Sequence, residues 1–318
     1  MVTDAITRPV TRQATPGHRP RRRAGRRNNI AGYLFMTPWL LGFAVIVGGP
    51  MLVSLYLSFT DYSLLGSPEW IGWDNYVQMF TTDDRFFASL AVTVTYLVVS
   101  VPLVQVSALA LATILNRGLR GLVIYRTVFY IPSLIGGSVA IAILWRFVFA
   151  GDGLLNGLLS VVGVSTSTSW IGTPDSALYT LVVLNVWQFG AAMIIYLAGL
   201  RQVPAELYEA ATIDGAGTVR RFRSVTLPML SPVILFNVLM NMVGAFQAFN
   251  SAYIISNGTG GPADSTLFYT LYLYQRGFVD FDMGYACALG WILLVVVGLA
   301  ALTLFRLSRR LVFYGEES

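Results

Sequence analysis

Six long apolar runs constrain this chain more than any other feature of its sequence. A helix needs about 20 predominantly apolar residues to cross the hydrocarbon core of a bilayer. The runs cover residues 31–58, 87–115, 123–149, 177–199, 229–254 and 284–305. Of the 318 residues, 55% are hydrophobic and only 12% are charged, which is atypical of a water-soluble domain. The sequence therefore predicts an all-α integral membrane protein with six transmembrane helices.

The distribution of charge predicts the orientation of these spans. The chain has 21 basic residues, and every one of them is Arg. Eighteen of the arginines lie in the N-terminal tail, in residues 117–126, in the 200–228 segment and in the C-terminal tail. Ten carboxylates lie in the three alternate segments. Because Lys and Arg concentrate on the cytoplasmic side of membrane proteins, both termini and the 200–228 segment are predicted to be cytoplasmic.

These boundaries divide the chain into three parts. Residues 1–29 carry eight arginines without apolar periodicity, which predicts a disordered cytoplasmic tail in contact with anionic lipid. The apolar run that follows is too long for the core of a cleaved signal peptide. Residues 30–306 form the predicted six-helix domain with a cytoplasmic loop at 200–228, and residues 307–318 form a second cytoplasmic tail.

The sequence offers no catalytic group of its own. It contains no Lys, which excludes a phosphate-binding P-loop, and its single Cys287 and single His18 leave no metal site or disulfide to build. Every carboxylate lies outside the predicted spans, whereas ion-coupled transporters normally carry ionisable groups within them. An ion-coupled secondary transporter, a membrane enzyme and a structural scaffold remain as alternatives. We expect no catalytic residue, metal or cofactor on this chain.

The 200–228 segment is the one long polar stretch between apolar runs in the second half of the chain. Pro204 suits the first position of a helix, and Glu209 adds negative charge near that end. Gly215 is suited to end the helix, since glycine tolerates the left-handed conformation found there. Thr218 then suits the cap of a second helix that runs until Pro228. The segment therefore predicts two short helices joined by a hinge.

The same segment resembles the EAA loop of the membrane subunits of binding-protein-dependent ABC importers. The family usually has Ile where Val225 stands, and the remaining positions match. The resemblance implies that this loop docks into a groove of a separate ATPase subunit. The implied coupling residues are Glu209, Ala210, Ala211, Gly215, Leu227 and Pro228.

Other positions are similar to the carbohydrate-importer branch of that family, the maltose and glycerol-phosphate type. They are the turn at 258–262, the aromatic segment ending at Gly277 and Phe278, Ile131-Pro132, Trp145, Gly153 and Asn156. The resemblance implies the type I importer fold, with both termini inside, in the cytoplasmic membrane of a bacterium. An ABC permease for a non-sugar solute remains an alternative.

The resemblance also implies a set of partners. A second, related permease chain would complete the path, and two ATPase subunits would bind ATP and Mg²⁺. An extracytoplasmic solute-binding protein would deliver the cargo. We expect contact with the lipid bilayer and none with nucleic acid.

Polar and aromatic residues within the spans are candidates for the transport path. On a continuous fifth helix, one face would carry the small and amide residues Asn237, Asn241, Gly244, Ala248 and Ser251, which favours close helix packing. The roughly opposite face would carry Phe246, Asn250 and Tyr253, which suit a sugar and are predicted to line the path. Asn185 and Gln188 share a face of the fourth span, and either helix–helix hydrogen bonding or a cavity would explain them. Arg146, at the outer end of the third span, is predicted to reach lipid headgroups.

Overall fold

The computed structural model describes residues 25–118 and 121–311, which are mostly helical. The remainder of the predicted N-terminal tail and residues 312–318 lie outside the described part. The chain forms two compact units, residues 1–53 and residues 54–318.

The first unit contains one apolar helical stretch. It consists of α1 (Gly25–Phe43), a wide π-helical turn (Ala44–Gly48) and the beginning of α2 (Gly49–Leu57). Residues Tyr33–Leu57 are long and apolar enough to cross a membrane, as predicted for the first span. Helix α1 begins at Gly25, so the last five residues of the predicted 1–29 tail are helical.

The second unit is built around α4 (Asp84–Leu115), a helix of 32 residues. It packs against α8 (Pro174–Trp187), α9 (Gly190–Leu200), α12 (Leu227–Phe246) and α14 (Tyr269–Tyr274). Its buried residues recur every three or four positions, and many are small, which permits close approach of the neighbouring helices. They include Ser89, Thr93, Tyr96, Ser100, Val104, Ala108, Ala112 and Leu115.

The third span is broken, so its prediction as one continuous helix over 123–149 was wrong. It consists of α5 (Leu122–Ile135) and α6 (Val139–Phe149), and α7 (Leu154–Val161) follows at the outer end. Pro132 removes a backbone donor from the last turn of α5. Ser138 then caps α6, since its hydroxyl accepts a hydrogen bond from the amide of Ile141.

The fourth span, predicted over 177–199, is also not straight. Helices α8 and α9 meet at an angle of 42° around Gln188 and Phe189. The break packs against the break in the third span: a Cβ built on Gly136 would lie 2.1 Å from Cδ of Gln188. A Cβ built on Gly190 would lie 2.1 Å from the carbonyl oxygen of Phe129. The two bent spans therefore pack closely where a glycine of each span leaves room for atoms of the other.

The fifth span begins earlier than predicted. Helix α11 (Thr218–Arg221), a π-helical turn (Phe222–Thr226) and α12 form one uninterrupted helical run, so the separate second helix of the 200–228 loop was a wrong prediction. Pro228 does not end the helix because it is the second residue after the wide turn. There the backbone hydrogen bonds change from the wider π-helical spacing to the α-helical spacing, so the amide that Pro lacks is not needed. The run ends at Gln247, and α13 (Asn250–Ile255) follows after a short break.

The sixth span is α15 (Met283–Leu311), which extends past the predicted boundary at residue 306. A π-helical turn (Gln275–Val279) follows α14 and precedes it. Within the described residues, five helical stretches are long and apolar enough to span a membrane, and the bent α8–α9 pair makes a sixth. The third of the five is Val139–Val161, formed by α6 and α7, whereas α5 is a shorter apolar helix. The all-α membrane fold with six spans is thus confirmed in outline.

Short elements cover the end of the second unit that carries the acidic segments, called here the acidic end. Strands β1 (Thr60–Asp61) and β2 (Glu69–Trp70) pair antiparallel and are followed by α3 (Asp74–Thr81). The buried side chain of Asn75 donates hydrogen bonds to the carbonyls of Ser58 and Thr60 and holds this segment together. The opposite end, which carries the 200–228 loop, is called the arginine-rich end.

Candidate coupling loop and transport path

The 200–228 loop projects a short helix, α10 (Ala205–Ile213), from the arginine-rich end. Pro204 is its N-cap, one position before the predicted one. The helix ends as predicted at Gly215, which has a positive φ of 74°. The amide of Gly215 bonds the carbonyl of Thr212, and the amide of Ala216 bonds the carbonyl of Ala211. These two bonds form a complete Schellman motif.

Two side-chain hydrogen bonds fix α10 to the start of the fifth span. The hydroxyls of Tyr208 and Thr226 are 3.0 Å apart. Nη1 of Arg221 donates to Oγ1 of Thr212 over 3.0 Å. Because Thr218–Phe246 is one continuous helical run, α10 is attached directly to a rod that enters the membrane domain. These two contacts were not predicted, since nothing in the local sequence pattern indicates which of the four residues meet.

None of the residues of α10 is buried. Glu209 and Ala210 are exposed, Ala211 is half-buried, and Glu209 forms no salt bridge with any described residue. Ile213 is 87% exposed and Val219 is 70% exposed. Large apolar side chains left in solvent on a polar loop are typical of an interaction surface. Ile213 and Val219 were not predicted as surface residues, although an apolar residue close to the Gly215 turn was a usable signal.

A cavity of about 300 Å³ lies within the membrane domain, between α4, α8 and α12. Its polar walls are Asn185, which was a predicted path residue, and Asn241, which was assigned to a packing face. Gly244 also lines this cavity, and a Cβ built on it would meet no atom within 4 Å. The prediction of close packing along this face was therefore wrong for Asn241 and Gly244. It holds for Asn237, which is buried.

The other predicted path residues are distributed over separate sites. Gln188 lies in the bend of the fourth span, where its amide donates to the carbonyl of Leu184. Phe246 is buried inside the chain, whereas Asn250 and Tyr253 are exposed on α13. The predicted common face of these three residues does not form, because the helix is interrupted after Phe246.

Tyr253 belongs instead to an aromatic cluster at the outer part of the fifth span. Its ring lies 5.4 Å from that of Phe249 and 5.5 Å from that of Tyr274. Phe278 stacks on Tyr274 with centroids 5.2 Å apart. Asn250 is exposed at the start of the same short helix. The combination of aromatic faces and an amide suits a sugar, whose ring stacks while its hydroxyls need hydrogen-bond partners.

The acidic end is held by contacts between residues distant in sequence. Asp83 caps α4 by accepting a hydrogen bond from the amide of Phe86, and it also accepts from the hydroxyls of Tyr272 and Tyr285. Burial, followed by the hydrogen bond to Asp83, raises the pKa of Tyr272, so its hydroxyl stays protonated and remains a donor. Burial likewise raises the pKa of Asp282, while its contacts with the amide of Tyr285 and with Arg276 oppose that shift.

The arginines of the acidic end are bound within the chain. Arg85 makes a bidentate contact with Asp264, at 3.0 and 3.1 Å. Arg146 donates to the carbonyl of Ile254 and to the side chain of Asn257, at 3.3 and 2.6 Å. The prediction that Arg146 reaches lipid headgroups was therefore wrong. The described residues contain no group of three or more His, Cys, Asp or Glu that could hold a metal ion.

Residues 114–313 match the sequence family described as "Binding-protein-dependent transport system inner membrane component". This match covers more than half of the chain. The chain belongs to this family of transport permeases. It is a multi-pass protein of the cytoplasmic membrane, and the resemblance inferred from the 200–228 loop is confirmed.

Several permeases are similar to this permease over nearly its whole length. The "Probable ABC transporter permease protein YesP" of Bacillus subtilis (strain 168) is 51% identical over 295 residues, covering 93% of this chain and 96% of that one. The "Lactose transport system permease protein LacF" of Rhizobium radiobacter is 34% identical, covering 88% and 95%. The "Arabinooligosaccharides transport system permease protein AraP" of Bacillus subtilis (strain 168) is 34% identical, covering 90% of each chain.

A solved structure shares the fold of this permease. The crystal structure of a "bacterial alginate ABC transporter in complex with alginate pentasaccharide-bound periplasmic protein" contains a chain that superposes with a TM-score of 0.76. The two chains are 23% identical, and the match covers 89% of this permease and 96% of that chain. The predicted type I importer fold is thus confirmed.

Proposed function

We propose that this permease forms half of the translocation path for a sugar or sugar-like solute in an ATP-driven importer. A second, related permease forms the other half, and a solute-binding protein delivers the cargo. Two ATPase subunits bind ATP and Mg²⁺ and hydrolyse the nucleotide, so this chain needs no cofactor. The observation that carries the proposal is the exposed α10, fixed to a helical rod that runs from the loop to the cavity between α4, α8 and α12.

The loop transmits the movement of the ATPase subunits. Closure of the ATPase dimer displaces α10, and the Tyr208–Thr226 bond passes the displacement to the continuous helix of the fifth span. That helix carries Asn241 and Gly244, so the movement reaches the wall of the cavity directly. The loop thereby couples ATP hydrolysis on another chain to the opening of the path.

The chemistry of the path supports a carbohydrate as cargo. Amides at Asn185, Asn241 and Asn250 offer both donors and acceptors to hydroxyl groups. On α13, the ring of Tyr253 offers a stacking face. The relatives named for lactose and for arabinooligosaccharides agree with this class of solute.

The coupling role is tested by Glu209→Arg in the transporter reconstituted with its partners. We expect uptake to be abolished while the permease remains inserted. The substitution replaces the exposed carboxylate of α10 with a positive charge, which would repel a basic groove on the ATPase subunit. Glu206→Arg, a charge reversal on the same helix outside the motif, is the matched control and should retain most uptake. Undiminished uptake in the Glu209 variant would refute the coupling role.

The position of the loop is tested with a single cysteine at Ala210 in a chain whose Cys287 has been replaced. We expect cross-linking from this cysteine to the ATPase subunit and no labelling from outside intact cells. External labelling would contradict the proposed orientation. Uptake that survives a protonophore and fails when ATP is depleted would dismiss the ion-coupled alternative.

The path is tested by comparing Asn250→Ala with Asn237→Ala. Asn250 is exposed on α13, the helix that carries Tyr253, whereas Asn237 is buried within the helix bundle. We expect the Asn250 variant to reduce uptake more strongly, with the amount of inserted protein unchanged. An equal or smaller reduction would remove Asn250 from the path.

A further inference from the structure

An apolar groove separates the arginine-rich ends of α12 and α15. Its volume is about 390 Å³, which lies within the range of small-molecule sites in proteins. Its walls are almost entirely aliphatic, and they are formed by Leu227, Ile234, Leu235, Val238, Leu304 and Leu307. Its lining shares no residue with α10 or with the cavity that contains Asn185 and Asn241.

Polar groups occur chiefly at one end of this groove. Arg223 lies in the wide turn at the start of the fifth span, lines the groove and is exposed. Ser308, from the last turns of α15, lines the groove near the same end and is buried. Val238 and the neighbouring aliphatic residues form the other end. The groove is therefore amphiphilic, with a cationic mouth and a hydrocarbon interior.

The two helices of the groove carry basic residues and no acidic ones. Residues 218–255 and 283–311, which include both helices of the groove, contain no Asp or Glu. Arg220, one turn before Arg223, is exposed, as are Arg306 and Arg309 on α15. Arg223 is thus the guanidinium group that lines the mouth, and neither helix of the groove contributes a carboxylate there. Arginine is suited to such a ligand because its planar fork binds phosphate oxygens in pairs.

The length of the groove matches one leaflet of a bilayer. From Arg223 to Val238 the helical rise is about 22 Å. Half of the hydrocarbon core is about 15 Å thick, and the headgroup layer adds to it. A phosphate held at Arg223 therefore lies at the interface, while an attached acyl chain reaches the depth of Val238.

We propose that this groove binds an anionic phospholipid of the cytoplasmic leaflet. One acyl chain lies between α12 and α15, and the phosphate contacts Arg223. Since Arg223 belongs to the same wide turn as Thr226, which holds α10, the lipid occupies the base of the coupling loop. The site is separate from the transport path, so its occupancy is measured without any transport assay.

The experiment uses the full chain purified with the subunits that accompany it, in bilayers of mixed lipid. Phosphatidylglycerol and phosphatidylcholine probes carry the same photoreactive acyl chain, and labelled peptides are identified by mass spectrometry. We expect the anionic probe to label residues 227–238 and 304–308 about fivefold more strongly, the factor expected for one arginine at the membrane surface.

Two variants and one control separate the headgroup contact from the chain contact. Arg223→Gln should reduce the preference for the anionic probe to near one. Leu235→Trp, which fills the groove, should abolish labelling of these peptides by both probes. Arg201→Gln removes an exposed arginine elsewhere in the same loop and should leave the preference unchanged.

Three results would overturn the proposal. Equal labelling by both probes would show that the groove binds the acyl chain without recognising the headgroup. Absence of labelling in the assembled transporter, with labelling of the isolated chain, would show that a partner subunit covers the groove. An equal effect of the Arg201 and Arg223 substitutions would show that general surface charge attracts the lipid. Normal elution of each variant as the assembled complex shows that it has folded.

Discussion

The two ends of the membrane domain are built in opposite ways. At the acidic end, side chains distant in sequence bind one another: Asp83 accepts hydrogen bonds from Tyr272 and Tyr285, which follow it by 189 and 202 residues. At the arginine-rich end, α10 has no buried residue and is held chiefly by two side-chain hydrogen bonds. Ile213, at the tip of this helix, is almost fully exposed.

This difference separates stability from coupling. A densely bonded end satisfies its own polar groups and contributes to the free energy of unfolding. An exposed helix contributes little to that free energy and leaves its surface free for a partner. Substitutions at the acidic end should therefore lower stability first. Substitutions on the loop should lower transport while leaving the unfolding temperature nearly unchanged.

The largest effect on stability is expected for Asp83→Ala. The change removes a helix cap and leaves two tyrosine hydroxyls without their acceptor, which together cost about 4 kcal/mol. Thermal unfolding in detergent measures the loss, with Asp84→Ala, an exposed neighbour, as the control. If the two variants unfold at the same temperature, the contacts of Asp83 at the acidic end do not contribute to the free energy of unfolding as proposed.

A smaller loss is expected for Gly215→Ser. Serine at a positive φ costs about 1–2 kcal/mol, and the Schellman turn that ends α10 is weakened. Gly217→Ser is the matched control, since Gly217 is an N-cap with φ −67° and serine is favoured there. We expect uptake to fall only in the Gly215 variant. Equal uptake by both variants would show that the geometry of this turn is not needed for coupling.

Thr226→Val should cost about 1 kcal/mol, the value of one hydrogen bond. The substitution keeps the shape of the side chain but removes the partner of the Tyr208 hydroxyl. We expect ATP hydrolysis by the assembled transporter to continue while uptake per ATP falls. Tyr208→Phe should have the same effect, and the double variant should be no worse than either single one. Additive losses would show that the two residues act separately.

The smallest effect on stability is expected for Ile213→Ser, because an exposed surface substitution normally changes the free energy of unfolding by less than about 0.5 kcal/mol. We nevertheless expect weaker retention of the ATPase subunit during purification. Val164→Ser, a substitution of another exposed aliphatic residue at the acidic end, is the control. Unchanged retention would exclude Ile213 from the docking surface.

The sequence predicted the features that depend on local chemistry. Apolar runs located the spans, and the Gly215 turn followed from the conformational freedom of glycine. Arginine and carboxylate counts predicted the orientation. The 200–228 pattern led to the correct family.

Features that depend on tertiary contacts were beyond the sequence. The bends in the third and fourth spans form where Gln188 packs against Gly136, and no local signal pairs those residues. Arg146 looked like a lipid anchor because its partner, Asn257, lies 111 residues further on. A helical projection placed Asn241 and Gly244 on one face, but it did not show that this face borders a cavity.

The wide turn at Phe222–Thr226 sets the rotational register between the loop and the bundle. Each residue of an α-helix advances the chain by about 100° around the axis. Deleting one residue from the turn would therefore rotate α10 by roughly a third of a revolution relative to Asn241 while shortening the rod by only about 1.5 Å. In the proposed coupling, the ATPase subunits would then act on the wrong side of the fifth-span helix.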